Sequence, residues 1–314
     1  MKQANYDILY IGMALVDSII KGFDPIPVSA SGYRAVSGSL NVGGEAVNGA
    51  IAAAKLGLST GILCALGQDA AGDMVVNALE QNGVDVQYVI RSREHPTPVT
   101  TMFVREDGTR RSVTNQAHAY NFHPEQYTDC FASAQAISIG SLFRAPFDDP
   151  EIIYRVVTAA KQHSAIVFAD TKLPNFRKLA LADIREALPL IDYIFPNEDE
   201  AGYFSGRDDP DGMADVFLDL GVKNVIIKLG AKGCVLKNAG ERIHLDAHDI
   251  NAVDATGAGD NFGAGFASEL LRGGNHASAL RFANACGAIC TSAVGASDGL
   301  KSRDQVLKYL GLSR

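Results

Sequence analysis

The chain contains 314 residues, of which 47% are hydrophobic and 20% are charged, and its formal net charge at pH 7 is −8. This composition supplies a core for one large folded unit and contains no low-complexity tract. The acidic balance disfavours nucleic acids and anionic membranes as partners, because both repel a negatively charged surface.

The N-terminus and the cysteines indicate a cytoplasmic location. Met1–Asn5 is polar, and the first apolar run, Ile8–Gly12, is too short for the core of a signal peptide. No stretch approaches the ~20 apolar residues that a membrane span needs. The five cysteines contain no CxxC pair, and their odd number is typical of free thiols in a reducing compartment. We therefore expect neither a targeting segment nor a membrane span.

Strand-like and helix-like segments alternate along most of the chain. The predicted strands are Asp7–Gly12, Thr60–Leu66, Ala136–Gly140, Ile166–Asp170, Tyr193–Phe195 and Asn224–Lys228. The predicted helices are Glu45–Leu56, Ala70–Gln81, Asp149–Gln162, Ala258–Arg272 and His276–Val294. Continuous apolar runs that alternate with helices indicate an α/β fold with a mostly parallel central sheet covered on both faces.

Two stretches interrupt this alternation. Residues 16–40 are rich in Pro, Ser and Gly, and residues 97–115 contain two β-rich arms around the turn sequence Glu106–Gly108, which predicts a hairpin. We expect both to form one small β-sheet, a lid over the site; the alternative is a surface hairpin without a role. No linker divides the chain, so we predict a single domain over residues 1–314.

The segment Ala252–Asp260, with the sequence AVDATGAGD, carries the strongest chemical pattern. Three small residues precede a helix whose first N–H groups have no partner within the helix and lie at the positive end of its dipole. Such a turn is an anion pocket suited to a phosphoryl group. Asp260 at its edge can accept a proton from an attacking hydroxyl. From the residues alone, a catalytic Asp260 and an Asp260 that only stabilises the N-terminus of its own helix are equally favoured.

A dinucleotide-binding turn is the competing interpretation of the same glycines. Gly257, Gly259 and Gly263 form a loosened fingerprint, but a Rossmann site needs a following strand, and Arg281–Val294 is predicted to be helical. The chain also contains no GxxxxGK[ST] loop, so a P-loop enzyme is disfavoured.

A second glycine-rich segment, Gly43–Ala50, opens a predicted helix with the sequence GGEAVNGA. Paired glycines permit a ligand to approach the backbone closely, although most such pairs are only turns. Together with Ala252–Asp260, this segment resembles the two signature motifs of the ribokinase-like, phosphofructokinase-B type carbohydrate kinases. Pro196–Glu200, Ile226–Gly233 and Asp17 match further family elements in the same order, so the resemblance covers nearly the whole chain.

The resemblance implies a three-layer α/β/α sandwich with a small β lid and an ATP-dependent kinase that phosphorylates a small sugar. Asp260 would be the general base. The anion hole for the transferred phosphoryl group would comprise Gly257, Ala258 and Gly259. The hydroxyls of the sugar would be held by Asp17, Gly44 and Asn48.

The resemblance also implies a nucleotide site and two metal ions. The residues near ATP and Mg²⁺ would be Asn197, Glu200, Lys228, Gly230, Gly233 and Asn284. Mg²⁺ retains most of its waters, so few direct protein ligands are expected. Asp254 and Thr256 match the position beside a monovalent cation such as K⁺. The exposed lid edge could join two copies as a homodimer.

Several residues depart from the ribokinase pattern. Glu45 stands where ribokinases tend to carry lysine, and Ser141 falls where they place a substrate-binding glutamate, so the sugar stays open. The hairpin carries three arginines that either bind an anionic sugar acid or are simply solvated: Arg105, Arg110 and Arg111. Lys228 either reaches the phosphates or points to solvent.

Two other functions remain at this stage. A nucleoside kinase on the same scaffold would need an aromatic cleft, for which Tyr33, Phe103 and Tyr120 are candidate walls. A sugar-binding regulatory protein without catalysis would not need Asp260 beside an anion pocket.

Overall fold

The computed structural model describes residues 6–22, 35–105, 109–115, 122–175 and 177–312. Its strands are β1 Tyr6–Ile11, β2 Leu15–Lys21, β3 Ser37–Gly43, β4 Thr60–Gly67, β5 Val89–Ser92, β6 Val99–Val104, β7 Arg110–Thr114, β8 Ala134–Leu142, β9 Ile166–Thr171, β10 Tyr193–Phe195, β11 Asn224–Lys228, β12 Cys234–Asn238 and β13 Arg242–Leu245. Its α-helices are α1 Glu45–Lys55, α2 Ala70–Gln81, α3 Pro150–Gln162, α4 Glu198–Ser205, α5 Pro210–Asp219, α6 Ala258–Leu271, α7 His276–Thr291 and α8 Arg303–Tyr309.

The main sheet contains nine strands in the order β13-β12-β11-β10-β9-β8-β1-β4-β5. The strands from β11 through β5 pair in parallel, and β12 and β13 extend the sheet as an antiparallel edge. One apolar core lies between the sheet and α1, α2, α6, α7 and α8, with Ile51, Phe266 and Phe282 fully or almost fully buried. A second core packs α3 and α5 against the other face through Val156 and Phe217.

The three-layer sandwich expected from the sequence is therefore confirmed, and most predicted boundaries differ from the structure by one or two residues. Asp149 caps α3 by accepting a hydrogen bond from Glu151 N, so the helix begins at Pro150. The helix α7 ends at Thr291 instead of Val294, because the chain turns through Gly295 in a left-handed conformation. The sequence analysis did not anticipate β5, β12, β13, α4, α5 and α8.

A separate four-stranded sheet, β3-β2-β6-β7, forms the expected lid. The strands β2 and β6 are parallel, and the two outer pairs are antiparallel. The predicted turn at 106–108 and residues 23–34 of the first lid segment lie outside the described residues. Within the described part of the chain, no helix has the length and apolarity needed to cross a membrane.

Asp192 directly precedes β10 and joins three neighbouring strands at their amino ends, the edge of the sheet opposite the cleft. Its carboxylate accepts hydrogen bonds from Val167 N at 2.8 Å, from Lys223 Nζ at 2.7 Å and from Lys161 Nζ. Burial opposes ionisation of Asp192, but the two ammonium groups outweigh it and lower its pKa. A group with a lowered pKa stabilises the fold above its unfolded pKa and loses that contribution as the pH falls.

We predict that Asp192→Asn lowers the free energy of unfolding at pH 7 by about 1–3 kcal/mol, because two cations lose their partner. The loss should shrink as the pH falls below about 4, where the carboxyl of the unfolded wild type becomes protonated. Denaturant unfolding at several pH values measures it. Asp211→Asn, at an exposed ion pair with Arg242, is the control and should cost under about 1 kcal/mol. An equal loss in both variants would contradict the assignment.

Candidate active site

The start of α6 forms a tight turn that only glycine can make. Gly257 adopts the left-handed conformation with φ of +75°, and a Cβ on it would lie 2.5 Å from the Cβ of Ala296. The amide of Ala258 donates to Ala255 O at 3.2 Å. The amides of Gly257, Gly259 and Asp260 make no such backbone hydrogen bond at the start of α6, so they are free to bind an anion. The anion hole expected at residues 257–259 stays a prediction, and of these three amides the one of Ala258 is engaged within the turn itself.

Asn261 fixes this turn from beneath. Its side-chain amide donates to Gly257 O and to Ala296 O, both at 2.8 Å, and the side chain is fully buried. The turn is thereby attached to the loop that follows α7. The sequence analysis did not single out Asn261, because an amide inside a helix carries no local pattern of its own.

Asp260 meets the second glycine-rich segment across the cleft. The side-chain amide of Asn48 donates to Asp260 Oδ2 at 2.8 Å, although the two residues are 212 positions apart. Gly44 precedes α1 at φ of +98°, and a Cβ there would collide with the backbone of Met13. The two motifs recognised in the sequence thus face each other, at the starts of α1 and α6.

The carboxyl of Asp260 lies in a strongly acidic environment. A small cavity of ≈ 30 Å³ is lined by Glu45 and Asp170 as well as by Asp260. Burial first, and then the charges of Glu45 and Asp170, raise the pKa of Asp260 to about 7, against the opposing effects of Lys172 and of the Asn48 hydrogen bond. A carboxylate with such a pKa is a stronger base than an ordinary aspartate and is still substantially ionised at neutral pH.

The lid places Asp17 over the same cleft. Burial and the charge of Glu45 raise the pKa of Asp17. Asp17 pairs with Asn41 on β3 and with Thr100 on β6. Gly43 lies two residues after Asn41, on the same face of β3. The Asp17 carboxylate occupies the space beside it, because a Cβ on Gly43 would collide with Asp17 Oδ2.

Two of the three hairpin arginines considered as an anion-binding group, Arg105 and Arg111, do not face the cleft. Arg111 pairs with Phe103, and residues opposite each other in neighbouring strands share a face. Because Asp17 pairs with Thr100, Phe103 and Arg111 lie on the other face of the lid, away from the cleft. Arg105 directly follows β6, and by the same alternation of side chains it lies on the face of Phe103.

Five of the six expected nucleotide residues lie at or after the carboxyl ends of β10 and β11. Asn197 and Glu200 form a capping box at the start of α4, in which the Asn197 side chain accepts from Glu200 N and Glu200 Oε2 accepts from Asn197 N. Glu200 Oε2 also accepts from Thr171 Oγ1 at 2.9 Å. These two motif residues therefore have a structural role at the sheet edge as well as any role toward a ligand.

Lys228 does not point to solvent. Its ammonium lies 2.8 Å from Asp170 Oδ1 and its side chain is only 14% exposed. A Cβ on Gly259 would lie 3.2 Å from the same ammonium, so Lys228 reaches the first turn of α6. The alternative in which Lys228 is solvated is wrong, because the partly buried carboxylate of Asp170 holds it in the cleft.

Comparison with known proteins agrees with this geometry. The model of the pfkB family carbohydrate kinases matches residues 11–303. The chain is 28% identical to 2-dehydro-3-deoxygluconokinase of Bacillus subtilis over 88% of each chain. The structure of Arabidopsis thaliana ribokinase with ribose and ATP superimposes with a TM-score of 0.87 at 27% identity, covering 98% of this chain and 100% of the other. An E. coli candidate ribokinase II in complex with ATP and Mg²⁺ gives 0.81 at 26% identity over 98% and 99%.

The chain belongs to the pfkB family of carbohydrate kinases. The resemblance noted from the two glycine-rich motifs is confirmed, and so is the expected class of enzyme, an ATP-dependent carbohydrate kinase.

The remaining site residues of this pfkB kinase lie at the rim of the sheet. Gly230 and Gly233 shape the turn between β11 and β12, and Gly233 at φ of +91° leaves no room for a Cβ beside Leu245 O. Asn284 on α7 is buried, and its side chain donates to Asp246 O at 2.8 Å. This contact ties α7 to the residue after β13.

Asp254 and Thr256 form a local turn before α6. Asp254 Oδ1 accepts from the amide of Thr256 at 3.0 Å and from its hydroxyl at 2.7 Å, and Asp254 Oδ2 accepts from Gly295 N at 3.1 Å. The carboxylate therefore joins the turn to the same loop that Asn261 holds.

Two charged residues of the cleft were missed by the sequence analysis. Asp170 and Lys172 lie at and just beyond the end of β9, and a charged residue at the carboxyl end of a buried parallel strand is a recognisable pattern. The strand was predicted correctly, but no role was given to the residues that end it.

We predict that the carboxyl carbon of Asp260 titrates with a midpoint near pH 7, followed by NMR in the ligand-free protein. Glu45→Gln should lower this midpoint, because removal of a neighbouring negative charge favours the ionised form. Glu151→Gln, an exposed residue of α3, is the control and should leave the midpoint unchanged. A midpoint near pH 4 in the wild type would show that Asp260 is solvated instead of enclosed.

Proposed function

We propose that this kinase transfers the γ-phosphoryl group of ATP to a hydroxyl of a small sugar or sugar-like molecule, with Asp260 as general base. The hydrogen bond between Asn48 and Asp260 supports this proposal. It brings the side-chain amide of Asn48, which can bind a hydroxyl, and the carboxylate of Asp260, whose pKa is raised, together at the N-terminus of α6. Asp260 takes the proton of the acceptor hydroxyl, and the amides of Gly259 and Asp260 stabilise charge on the phosphoryl group.

The acceptor would lie between the lid and α1. Asp17, Asn48 and the backbone around Gly44 offer acceptors, an amide donor and close backbone approach, which is the mixture that sugar hydroxyls need. The ribokinase and deoxygluconokinase relatives act on different sugars, and Glu45 distinguishes this chain from the lysine expected of ribokinases. We therefore propose the class of acceptor and not one sugar.

ATP and Mg²⁺ fit the donors at the other end of the cleft. The described residues contain no group of three His, Cys, Asp or Glu side chains that would ligate a metal ion by themselves. Asn197, Glu200 and Asp170 would instead hold Mg²⁺ through its waters and the phosphates, consistent with its preference for octahedral oxygen ligands. Mg²⁺ would neutralise phosphate charge, and Lys228, Gly230, Gly233 and Asn284 would border the nucleotide.

We also propose a monovalent cation beside the anion hole. Asp254 is anchored to Thr256 and to the loop after α7, so a cation bound there would stiffen the turn that carries Gly257. Its effect would be on the position of the turn and not on proton transfer.

A nucleoside kinase is the weaker candidate. Phe103 lies on the face of the lid that is turned away from Asp17, so it cannot wall a base in the cleft, while Tyr33 and Tyr120 lie outside the described residues. A regulatory protein without catalysis does not require the raised pKa of Asp260.

A homodimer through the lid is a further proposal. Leu40 and Val113 are 61% and 66% exposed, and their pairing with Ser18 and Thr101 places both on the face of the lid opposite Asp17. Exposed large apolar side chains on one sheet face are typical of a protein interface.

We predict that Asp260→Asn lowers kcat by about 10²–10⁴-fold while the protein still binds ATP, because the base is lost and the anion hole is kept. Coupled ADP release over a panel of sugars, sugar acids and nucleosides, with calorimetry for ATP, measures both. Asp73→Asn, in the first turn of α2, is the control and should retain wild-type activity. Near-normal turnover by Asp260→Asn would refute the assignment of the base.

We predict that Leu40→Asp and Val113→Asp convert a dimer into monomers, because each introduces a charge into an apolar contact. Light scattering after size exclusion measures the mass, and Tyr154→Asp on α3 should remain dimeric. A wild-type monomer at micromolar concentration would exclude the proposed interface.

A further inference from the structure

Lys172 holds a fixed position between the two ends of the cleft. It directly follows β9, where its amide donates to Leu142 O at 3.0 Å. The preceding residue, Thr171, is buried and donates its hydroxyl to Glu200. The backbone is therefore held on both sides, and the long side chain of Lys172 extends from a rigid base.

The ammonium of Lys172 is surrounded by carboxylates from four elements. It lies 3.6 Å from Glu45 Oε1 on α1. The charges of Glu45, Asp260, Asp170 and Glu200, in that order, counter the effect of burial and raise the pKa of Lys172. Lys172 therefore remains charged at any physiological pH, and the carboxylate that it approaches, Glu45, lines the same cavity as Asp260.

Lys172 differs from Lys228 in how firmly it is paired. Lys228 makes a hydrogen-bonded ion pair with Asp170 at 2.8 Å and is 14% exposed. Lys172 approaches Glu45 only to 3.6 Å, which is beyond hydrogen-bond distance, and its side chain is 40% exposed. Such an ammonium can change partners without breaking a strong contact.

We propose that Lys172 is a further catalytic residue, whose ammonium leaves Glu45 to bind the phosphoryl group as that group passes to the acceptor. The inference rests on the proposed phosphoryl transfer. In that step the acceptor oxygen forms a bond to the γ-phosphorus, the bond from the γ-phosphorus to the bridging oxygen breaks, and ADP leaves with the electron pair. The hydroxyl proton goes to Asp260, and Lys172 neither gains nor loses a proton.

The charge of the cleft explains why such a cation is needed. Glu45, Asp170 and Asp260 line one small cavity, and their field repels a phosphoryl group that approaches the acceptor. The equatorial oxygens of that group carry the spread negative charge of the transition state. Lys172 supplies the compensating charge there, while Glu45 is a positioning residue that keeps the ammonium at the acceptor end before ATP binds.

The test compares Lys172→Met and Lys172→Arg in the full chain with the best acceptor of the panel. Lys172→Met should lower kcat by about 10²–10³-fold, as the loss of one preorganised donor does elsewhere, while the Kd for ATP changes less than about threefold. Lys172→Arg should recover a large part of kcat, because it restores the cation. Inhibition by MgADP with tetrafluoroaluminate should weaken in Lys172→Met by the same factor as kcat.

The control is Lys223→Met, which removes another half-exposed, ion-paired lysine at the opposite end of the sheet. It should leave kcat unchanged. A role of Lys172 in folding alone would lower the melting temperature without changing kcat of the folded enzyme.

The pH profile gives an independent readout. The titratable groups that face Asp260 or the first turn of α6 from the elements packed against them include Tyr10, Glu45, Asp170, Lys172, Lys228 and Cys290. Lys172→Met should move the acidic limb of kcat/KM to higher pH, because Asp260 loses a stabilising positive charge, and Lys172→Arg should not move it.

Three results would overturn the assignment. One is a kcat within threefold of wild type for Lys172→Met. Another is a rise confined to the KM of acidic acceptors, which would make Lys172 a ligand of the acceptor. The third is a large loss of ATP affinity at unchanged kcat. A wild type that phosphorylates nothing in the panel would instead reject the proposed function itself.

Discussion

The cleft depends on one hydrogen bond, from Asn48 on α1 to Asp260 on α6. Both helices belong to the same layer of the sandwich, and both begin in turns that require glycine, at Gly44 and Gly257. Because helix N-termini attract negative charge, their convergence allows a carboxylate to remain partly ionised in a half-buried position. The rest of the site is arranged around this contact, with the lid above it and the carboxyl ends of the strands beside it.

Charge in the cleft is balanced locally and incompletely. Lys228 neutralises Asp170, and Lys172 is shared among several carboxylates, so Asp260 retains a net negative environment. The same repulsion that raises the pKa of the base would oppose the approach of a phosphate. Compensating positive charge would be needed to admit ATP, and the loose pairing of Lys172 with Glu45 is consistent with that role.

Much of the fold was predictable because its strands are continuous apolar runs and its helices have recognisable starts. Ala70–Gln81 and Asn224–Lys228 were predicted with their observed boundaries. The antiparallel strands β12 and β13 were missed because their stability comes from tertiary pairing instead of local pattern. The helix α4 was missed although Asn197 and Glu200 form a local capping box at its start.

The site was predictable only where motifs carry it. Asp260, Asn48 and Gly257 follow from local glycine-rich patterns, and the structure brings them together. The roles of Asn261, Asp170 and Lys172 depend on which elements meet in space, and no spacing along the chain encodes that. The motif also does not reveal the hydrogen bond that engages the amide of Ala258 within the turn before α6.

The attachment of the anion-hole turn to the loop after α7 limits how the protein can vary. Asn261 and Asp254 both reach that loop, and Ala296 lies against Gly257 with no space to spare. Surface connections usually tolerate added residues. An insertion between residues 293 and 297 would instead displace the turn that carries Gly257, so related sequences should keep the length of this loop even where its composition drifts.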